Sequence, residues 1–324
     1  MRNEYRTPED FRVALQARQR QRAATARVPS ERIAQTDLFF RFLDRVIREL
    51  GAGALVVKGG LALELRLQRA RTTGDIDLRV SGDPTDIYRR IRAAGLRDHG
   101  DFFTFLVEDP AGSSQLEGDG VIYEGRRFSV QAMLANRPYL RRFGLDVAFG
   151  DAMVGRPDTL MAPDALSFIG IASLEIPIYP IGTHLAEKLH AYTLPRSDGR
   201  INSRMKDLID IALVAVEPSL QPSPEILAST VREAFERTFA ARATHGLPRA
   251  VPLPPEEWSV RYPREKEINA LPWNTIQDVR AEAVAFLEPI LLGTASGTWN
   301  SQARTWSQQW MITPPSTLRP SLRP

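Results

Sequence analysis

Two aspartates separated by one residue, Asp75 and Asp77, are the side chains with the clearest potential for chemistry. They lie in the segment TGDIDLRV, where apolar and polar residues alternate, and this alternation predicts a strand with both carboxylates on one face. Same-face positions on a strand are about 6.6 Å apart at the backbone, so the two carboxylates could converge on one metal ion or bridge two. Such a pair is also common on ordinary solvated strands.

A lysine followed by two glycines, Lys58-Gly59-Gly60, lies upstream of these aspartates. The apolar run at residues 55–57 predicts a short strand, and the spacing of the leucines after the glycines predicts a helix to about Ala70. Glycine lets the backbone come close to a ligand, and the unpaired amides at a helix N-terminus attract phosphate. The segment therefore predicts a phosphate-binding turn that leads into the strand with the two acids.

A third acid, Asp146, lies in the segment RRFGLDVAFGD, where large apolar residues alternate with small or acidic ones. Its neighbours on the same strand face are Gly144 and Ala148, which leave space beside the carboxylate. This space predicts a ligand site with Asp146 as a third metal carboxylate. A lone acid on an edge strand is the alternative interpretation.

More charged residues lie on two predicted helices, HLAEKLHAYTLP and RMKDLIDIALVAV. The charged face of the second helix contains Arg204, Lys206, Asp207 and Asp210. The local pattern alone is that of a solvated helix face, with Lys206 and Asp210 as an i, i+4 pair. On the first helix, His184 and His190 lie near Lys188 and are expected to be satisfied or surface histidines.

The order of the predicted elements indicates an α/β (α+β) fold. The amphipathic helix TDLFFRFLDRVIREL precedes the glycine turn, and strands are predicted at residues 102–108, 121–123, 127–134, 143–149 and 176–179. Helices then dominate. We expect a mixed sheet followed by a mostly helical C-terminal region, divided into residues 1–50 (a helical basic arm), 51–182 (the core), 183–292 (the helical region) and 293–324 (a tryptophan-containing tail with a disordered end).

Composition limits the class of protein. The chain has 324 residues, of which 43% are hydrophobic and 25% charged, which is ordinary for a globular protein with room for two domains. No apolar run approaches the roughly 18 residues of a membrane-spanning helix, and the N-terminus lacks the apolar core of a signal peptide. Cysteine is absent, which excludes disulfides and suits a cytoplasmic protein.

Basic and aromatic residues are unevenly distributed. The first thirty residues contain Arg2, Arg6, Arg12, Arg18, Arg20, Arg22 and Arg27. These arginines predict either contact with nucleic-acid phosphates or a solvated helix face, on which the aliphatic parts of the arginine side chains cover neighbouring apolar surface. All tryptophans lie in the last third, at Trp258, Trp273, Trp299, Trp306 and Trp310. They predict either buried anchors of a helical layer or stacking platforms for bases.

Together these motifs resemble the AbiEii/AbiGii toxin-type nucleotidyltransferases, which belong to the polymerase-beta-like nucleotidyltransferase superfamily. The matching motifs are Lys58-Gly59-Gly60 with Asp75-Ile76-Asp77, the strand from Leu145 to Asp151, Glu187-Lys188-x-x-Ala191, and Arg204-x-Lys206-Asp207-x-x-Asp210. The resemblance covers roughly residues 35–216 and implies a polymerase-beta-like nucleotidyltransferase core. Many superfamily members have serine where this chain has Gly60, so phosphate contacts there would come from backbone amides alone.

The resemblance implies roles for these residues. Asp75 and Asp77, joined by Asp146, would bind Mg²⁺, and Lys188 would contact the phosphates of a nucleoside triphosphate (NTP). The other residues expected to hold the nucleotide are Lys58, Gly59, Gly60, Arg204 and Lys206. Asp207 and Asp210 would line the site or organise it from behind, and Lys206 would contact phosphate or hold Asp210.

The resemblance also implies an activity. It is the transfer of a nucleoside monophosphate from an NTP to an acceptor hydroxyl, with the 3′ end of tRNA as the expected acceptor. Such an enzyme would be the toxin of a bacterial toxin–antitoxin or phage-defence pair, with a cognate antitoxin as a partner. Two alternatives stay open: a transferase with a small-molecule or protein acceptor, and a catalytically idle member that binds a nucleotide or a partner.

Overall fold

The computed structural model describes residues 5–68, 73–109, 115–118, 121–196, 201–222 and 225–307. Arg2 and the C-terminal segment with Trp310 lie outside the described residues, so the predictions about them have no structural counterpart here. No helix among the described residues is both long and apolar enough to cross a membrane.

The N-terminal segment forms two helices, α1 (Pro8–Ala26) and α2 (Ser30–Leu50), which pack on the core. Helix α1 begins where the Thr7 side chain accepts a hydrogen bond from the Asp10 amide, which satisfies a first-turn donor. Phe11 of α1 and Phe42 of α2 are fully buried in the same apolar cluster as the sheet. The amphipathic helix predicted before the glycine turn is therefore confirmed.

The central sheet is mixed, with strand order β3-β5-β7-β2-β1-β9-β8 and with β4 and β6 paired to β5. The strands are β1 (Leu55–Lys58), β2 (Asp75–Val80), β3 (Phe103–Glu108), β4 (Gln115–Gly118), β5 (Val121–Leu134), β6 (Arg137–Pro138), β7 (Phe143–Phe149), β8 (Asp158–Met161) and β9 (Glu175–Ile178). Helices α3 (Gly59–Leu67) and α4 (Pro84–Leu96) follow β1 and β2. Alternate residues of β2 and β7 are buried beneath α2 and α4, which directs the intervening acids to the opposite face.

One strand prediction was wrong. Residues 121–123 and 127–134 were expected to be two strands separated by a turn at Gly125, but β5 runs through it without interruption. Gly125 pairs with Ala148 of β7, so it lies within the ladder. Residues 121–124 pair with β4 and residues 125–130 pair with β7, and this continued pairing outweighs the local turn preference of glycine.

The C-terminal region is helical, as predicted, and has its own apolar cluster. Its elements are α5 (Ile181–Thr193), α6 (Met205–Val216), α7 (Ala228–Arg242), α8 (Trp258–Asn269), α9 (Ile276–Leu291) and a short hairpin of β10 (Trp299–Asn300) and β11 (Thr305–Trp306). Helix α8 was not predicted, because it contains Pro263 and buries only two residues, Trp258 and Tyr262. The indole of Trp258 donates to Asn202 O (2.8 Å) and that of Trp299 to Ala215 O (2.7 Å), so these two act as buried or half-buried anchors.

Candidate active site

The sheet register brings two of the predicted acids side by side. Strands β2 and β7 are parallel neighbours, and Asp77 is the partner of Asp146. Arg127 of β5 is the next partner in the same row. Its Nε and Nη2 donate to Asp146 Oδ1 and Oδ2, each at 2.6 Å, a bidentate pair that raises the pKa of the guanidinium. Arg127 could not be recognised from the sequence, because only the β5–β7 register places it beside Asp146.

Asp75 occupies the neighbouring row, opposite Gly144. The Gly144 amide donates to Asp75 Oδ1 at 3.0 Å. A β-carbon on residue 144 would lie 3.0 Å from Asp75 Cγ, so a side chain there would displace the carboxylate. The space predicted beside Asp146 is thus taken in part by Asp75 rather than left open.

The glycine turn lies against the second acid. Gly59 has φ +65°, and a β-carbon there would be 2.7 Å from Asp77 Cγ. A β-carbon on Gly60 would be 2.8 Å from Thr73 Oγ1. Helix α3 begins at Gly59 without a side-chain cap, so its first-turn amides lie next to Asp77. The turn and the acid strand therefore form one continuous surface.

These elements line a cavity of about 200 Å³ between the sheet and the C-terminal helices. Its cationic lining residues are Lys58, Lys188, Arg204 and Arg242, and its acidic ones are Asp77, Asp146, Glu187 and Asp207. Gly59 and Gly60 form part of the wall. Three predicted site residues, Asp75, Asp210 and Lys206, do not line the cavity. The mixture of cations and carboxylates suits a ligand that carries phosphates together with a cation.

Lys188 is fixed by two aspartates of α6. Its Nζ donates to Asp207 Oδ1 at 3.2 Å and to Asp210 Oδ2 at 2.5 Å, and the Asp210 side chain has no exposed surface. Asp207 lines the cavity and Asp210 lies behind it, so the two acids support the ammonium from different depths. Lys206 was expected to contact phosphate or hold Asp210, but its side chain is exposed on the solvent side of α6, whereas Asp210 faces Lys188 on α5.

Lys58 belongs to a separate ionic network. Its Nζ donates to Asp151 and lies 3.7 Å from Glu187 Oε1. Burial disfavours the charged ammonium, but the charges of Glu187 and Asp151 outweigh this and hold the pKa of Lys58 well above its usual value. Arg242 of α7 joins the network through Glu187 at 3.1 Å. Sequence reasoning missed Arg242, because nothing local links the end of α7 to α5.

Negative charge accumulates at Asp77. Burial, and then the nearby charge of Asp146, raises the pKa of Asp77 to about 6, although Lys58 opposes this. The carboxylates of Asp75, Asp77 and Asp146 occupy neighbouring positions on two paired strands. Their mutual repulsion disfavours the ionised form of Asp77. Carboxylate oxygens are the ligands that Mg²⁺ prefers, so the donor set fits a divalent cation. Among the described residues, however, no three acidic or histidine side chains approach closely enough to form a metal-binding cluster.

The two histidines of α5 are both buried. His190 Nε2 lies 2.8 Å from Thr244 Oγ1, and burial lowers the pKa of His190 to about 3. His190 is therefore neutral and has a hydrogen-bond partner, in line with the expected satisfied histidine. His184 lines the cavity beside Lys188.

A larger cavity of about 690 Å³ lies between the start of α7 and the end of α9. Arg232 and Arg249 line it, but no carboxylate does. It therefore lacks groups that could hold a cation or accept a proton, and the smaller cavity is the better candidate for chemistry.

One family model matches more than half of the chain. The sequence model of the family described as the nucleotidyl transferase AbiEii toxin of type IV toxin–antitoxin systems matches residues 41–311. No curated protein matches the chain. Among solved structures, the nucleotidyltransferase toxin MenT4 of Mycobacterium tuberculosis aligns with 16% identity and a TM-score of 0.48, over 86% of this chain and 99% of that chain. JHP933 of Helicobacter pylori aligns with 13% identity and a TM-score of 0.45, over 80% of this chain and 93% of that chain.

Proposed function

The chain belongs to the AbiEii nucleotidyltransferase toxin family of type IV toxin–antitoxin systems, and from this premise we propose that it transfers a nucleoside monophosphate from an NTP to the 3′ end of tRNA with the help of Mg²⁺. The proposal rests on one observation above all. Asp77 and Asp146 are partners in the sheet and line the same cavity as Lys58, Lys188 and the glycine turn.

The cavity can hold the triphosphate through fixed positive groups. The ammonium of Lys188 would attract the negatively charged phosphates. Its contacts with Asp207 and Asp210 limit the rotamers that the side chain can adopt. The first-turn amides at Gly59 and Gly60 would receive phosphate oxygens directly. Lys188 and the glycine turn belong to different elements. If both bound the same triphosphate, they would hold the α-phosphorus in one position.

Asp77 and Asp146, with Asp75 from the neighbouring row, would hold the magnesium after moving closer together, and the ion would neutralise charge on the phosphate oxygens. The raised pKa of Asp77 supports this role, since a cation would relieve the repulsion from Asp146. The Asp146 carboxylate is now bound by Arg127, so cation binding would require that bidentate contact to loosen.

The reaction joins the acceptor oxygen to the α-phosphorus. The acceptor hydroxyl attacks, the bond from the α-phosphorus to its bridging oxygen breaks, and pyrophosphate leaves. The hydroxyl proton would pass to a carboxylate at the cavity, and Asp146 is the proposed acceptor because it lines the cavity next to Asp77.

Membership of this toxin family implies a cognate antitoxin. We infer that the protein acts in the cytoplasm, where NTPs and tRNA are found, and that transfer to tRNA would arrest growth and so limit phage. Expression of the chain alone should inhibit growth, and expression of an Asp77→Ala variant should not.

The direct test is to incubate the purified protein with Mg²⁺, total RNA and each α-labelled NTP in turn. We expect label in the tRNA fraction with one NTP or a subset of them, and loss of labelling with EDTA or with Asp77→Ala. Label in a protein or a small molecule, and not in tRNA, would show that the acceptor is that molecule and not tRNA. Absence of label in every fraction, with intact NTP binding, would support an idle nucleotide-binding member instead.

A further inference from the structure

A basic groove lies away from the nucleotide cavity. It has a volume of about 320 Å³ and is formed by α1, the start of α2 and the connection between β6 and β7. Arg12, Arg20, Tyr139 and Leu140 are among its lining residues. The guanidinium of Arg12 lies 5.9 Å from the centroid of the Tyr139 ring, which fixes one edge of the groove.

The groove leads along the chain to the acids. Leu140 is followed by Arg141 and Arg142, both exposed, and β7 then begins at Phe143. Asp146 is four positions beyond Arg142, which is about 13 Å at ~3.3 Å per residue. The chain therefore runs from the groove lining at Leu140 to Asp146 in six residues.

The sheet register shows on which face of the sheet the Arg142 side chain lies. Arg142 forms an ion pair with Glu108 of β3. Glu108 pairs with Ser129, Ser129 with Gly144, and Gly144 with Asp75. Residues that are partners in a row project from the same face of a sheet, so Arg142 reaches the face that carries the acids.

The charge along this path is positive. Arg20 and Arg141 are exposed, and neither forms an ion pair with a residue in the described part of the chain. Glu31 is the acidic residue in the groove lining, while Glu108 is already matched by Arg142. The active-site acids repel a polyanion, and the two unmatched arginines, Arg20 and Arg141, would offset that repulsion by releasing counterions from the polyanion.

We propose that Arg12, Arg20, Arg141 and Arg142 form a basic track that binds the phosphate backbone of an acceptor RNA and leads its 3′ end to Asp146. This rests on the proposed function and adds to it the surface that selects the acceptor. Arginine presents a planar fork of donors that matches the oxygens of a phosphate.

The test measures RNA binding by the full chain as a function of salt. The probe is a fluorescein-labelled RNA hairpin with a single-stranded 3′ end, titrated by anisotropy at several KCl concentrations. The test variant is Arg20→Ala with Arg141→Ala. The matched control is Arg261→Ala with Arg264→Ala, which removes two exposed arginines from α8, remote from the track in sequence. NTP affinity and melting temperature are measured for all three proteins.

We expect the track variant to bind the hairpin about tenfold more weakly at low salt, and its salt slope to be shallower by about 1.4–1.8, as for two lost phosphate contacts. NTP affinity should be unchanged, and the control should behave as wild type. Equal RNA affinity and slope in wild type and track variant, or an equal loss in the control, would overturn the track. If the wild type binds NTP but neither binds nor labels RNA, the RNA acceptor of the proposed function fails instead.

Discussion

The carboxylate of Asp77 occupies the space where a β-carbon on residue 59 would stand, with its Cγ 2.7 Å from that position. Gly59 therefore does more than allow φ +65°: its missing side chain lets a metal-binding candidate lie directly against a phosphate-binding candidate. Two motifs that are separate in the sequence thus share one contact, and a change in the turn must move the acid.

We predict that Gly59→Ala lowers the rate of nucleotide transfer at least tenfold. The new methyl group would displace the Asp77 carboxylate, and the left-handed backbone would add about 1–2 kcal/mol of strain. The control is Gly100→Ala, since Gly100 has φ +73° and no atom within 4 Å of its β-carbon position. Both variants should lose stability through backbone strain, but only Gly59→Ala should also displace Asp77 and lose activity. Equal activity in the two would show that the contact with Asp77 has no role.

Asp77→Asn should abolish transfer and yet raise the melting temperature of the protein in the absence of divalent cations. The amide keeps the shape of the side chain and removes the repulsion from Asp146 that contributes to the raised pKa of Asp77. Thermal melts in EDTA, together with transfer assays in Mg²⁺, check both effects. A variant that is less stable than wild type in EDTA would contradict the assignment of excess negative charge to this site.

Removing the Lys188 ammonium should weaken NTP binding and destabilise the fold together. Lys188→Ala would delete the proposed phosphate contact, which is worth about 1.5–3 kcal/mol. It would also leave Asp207 and Asp210 without their lysine, which costs about 3–5 kcal/mol of stability for a buried pair. Calorimetry with NTP and thermal melts measure the two losses. Lys206→Ala, four residues from Asp210 but exposed, should change neither. Unchanged NTP affinity in a folded Lys188→Ala protein would remove this lysine from the site.

Arg127→Ala should bind Mn²⁺ several-fold more tightly than wild type in the absence of nucleotide. The Arg127 guanidinium now occupies both oxygens of Asp146, so a cation must compete with it. Electron paramagnetic resonance of free Mn²⁺ gives the affinity without any assay of activity. Arg142→Ala removes a nearby exposed arginine whose partner is Glu108, and it serves as the control. A loss of Mn²⁺ affinity in Arg127→Ala would show that Arg127 supports the site.

A buried ionic cluster between α2 and the start of β3 should govern acid stability. Asp101 Oδ1 accepts from Arg45 Nη2 at 2.5 Å and Oδ2 from Arg41 Nε at 2.6 Å, and the Asp101 side chain has no exposed surface. Burial alone would raise the pKa of Asp101, but the two arginines outweigh it and hold this pKa below its ordinary value of 3.8.

Because the folded-state pKa of Asp101 is depressed, its contribution to stability is complete above pH 3.8 and is lost as the pH falls through the folded-state value. Asp101→Asn should cost about 3–5 kcal/mol at neutral pH, since two buried guanidinium groups lose their carboxylate. Urea unfolding between pH 7 and pH 3 measures this, and the difference from wild type should shrink at the acid end. Asp86→Asn, in an exposed pair with Arg89, should have little effect.

The sequence by itself determined the elements and the chemical types of the site. Alternation along TGDIDLRV was sufficient to place Asp75 and Asp77 on one strand face, because the side-chain period of a strand is fixed by backbone geometry. The glycine turn and the charged helix α6 could be recognised for the same reason, since their signals are local. Helix α8 was not predicted, because it contains a proline and buries too few residues to show a helical spacing of apolar side chains.

Only the tertiary structure decided which charges meet. Lys188 of α5 forms an ion pair with Asp210 of α6, and Arg127 of β5 forms one with Asp146 of β7. Arg242 of α7 contacts Glu187 of α5. Each contact depends on strand register or on helix packing, which are set by the burial of apolar faces over the whole chain and leave no mark at the charged positions themselves. Local sequence therefore identified the acids and the lysine as candidates, whereas packing determined that Asp210 supports Lys188 and that Lys206 remains in solvent.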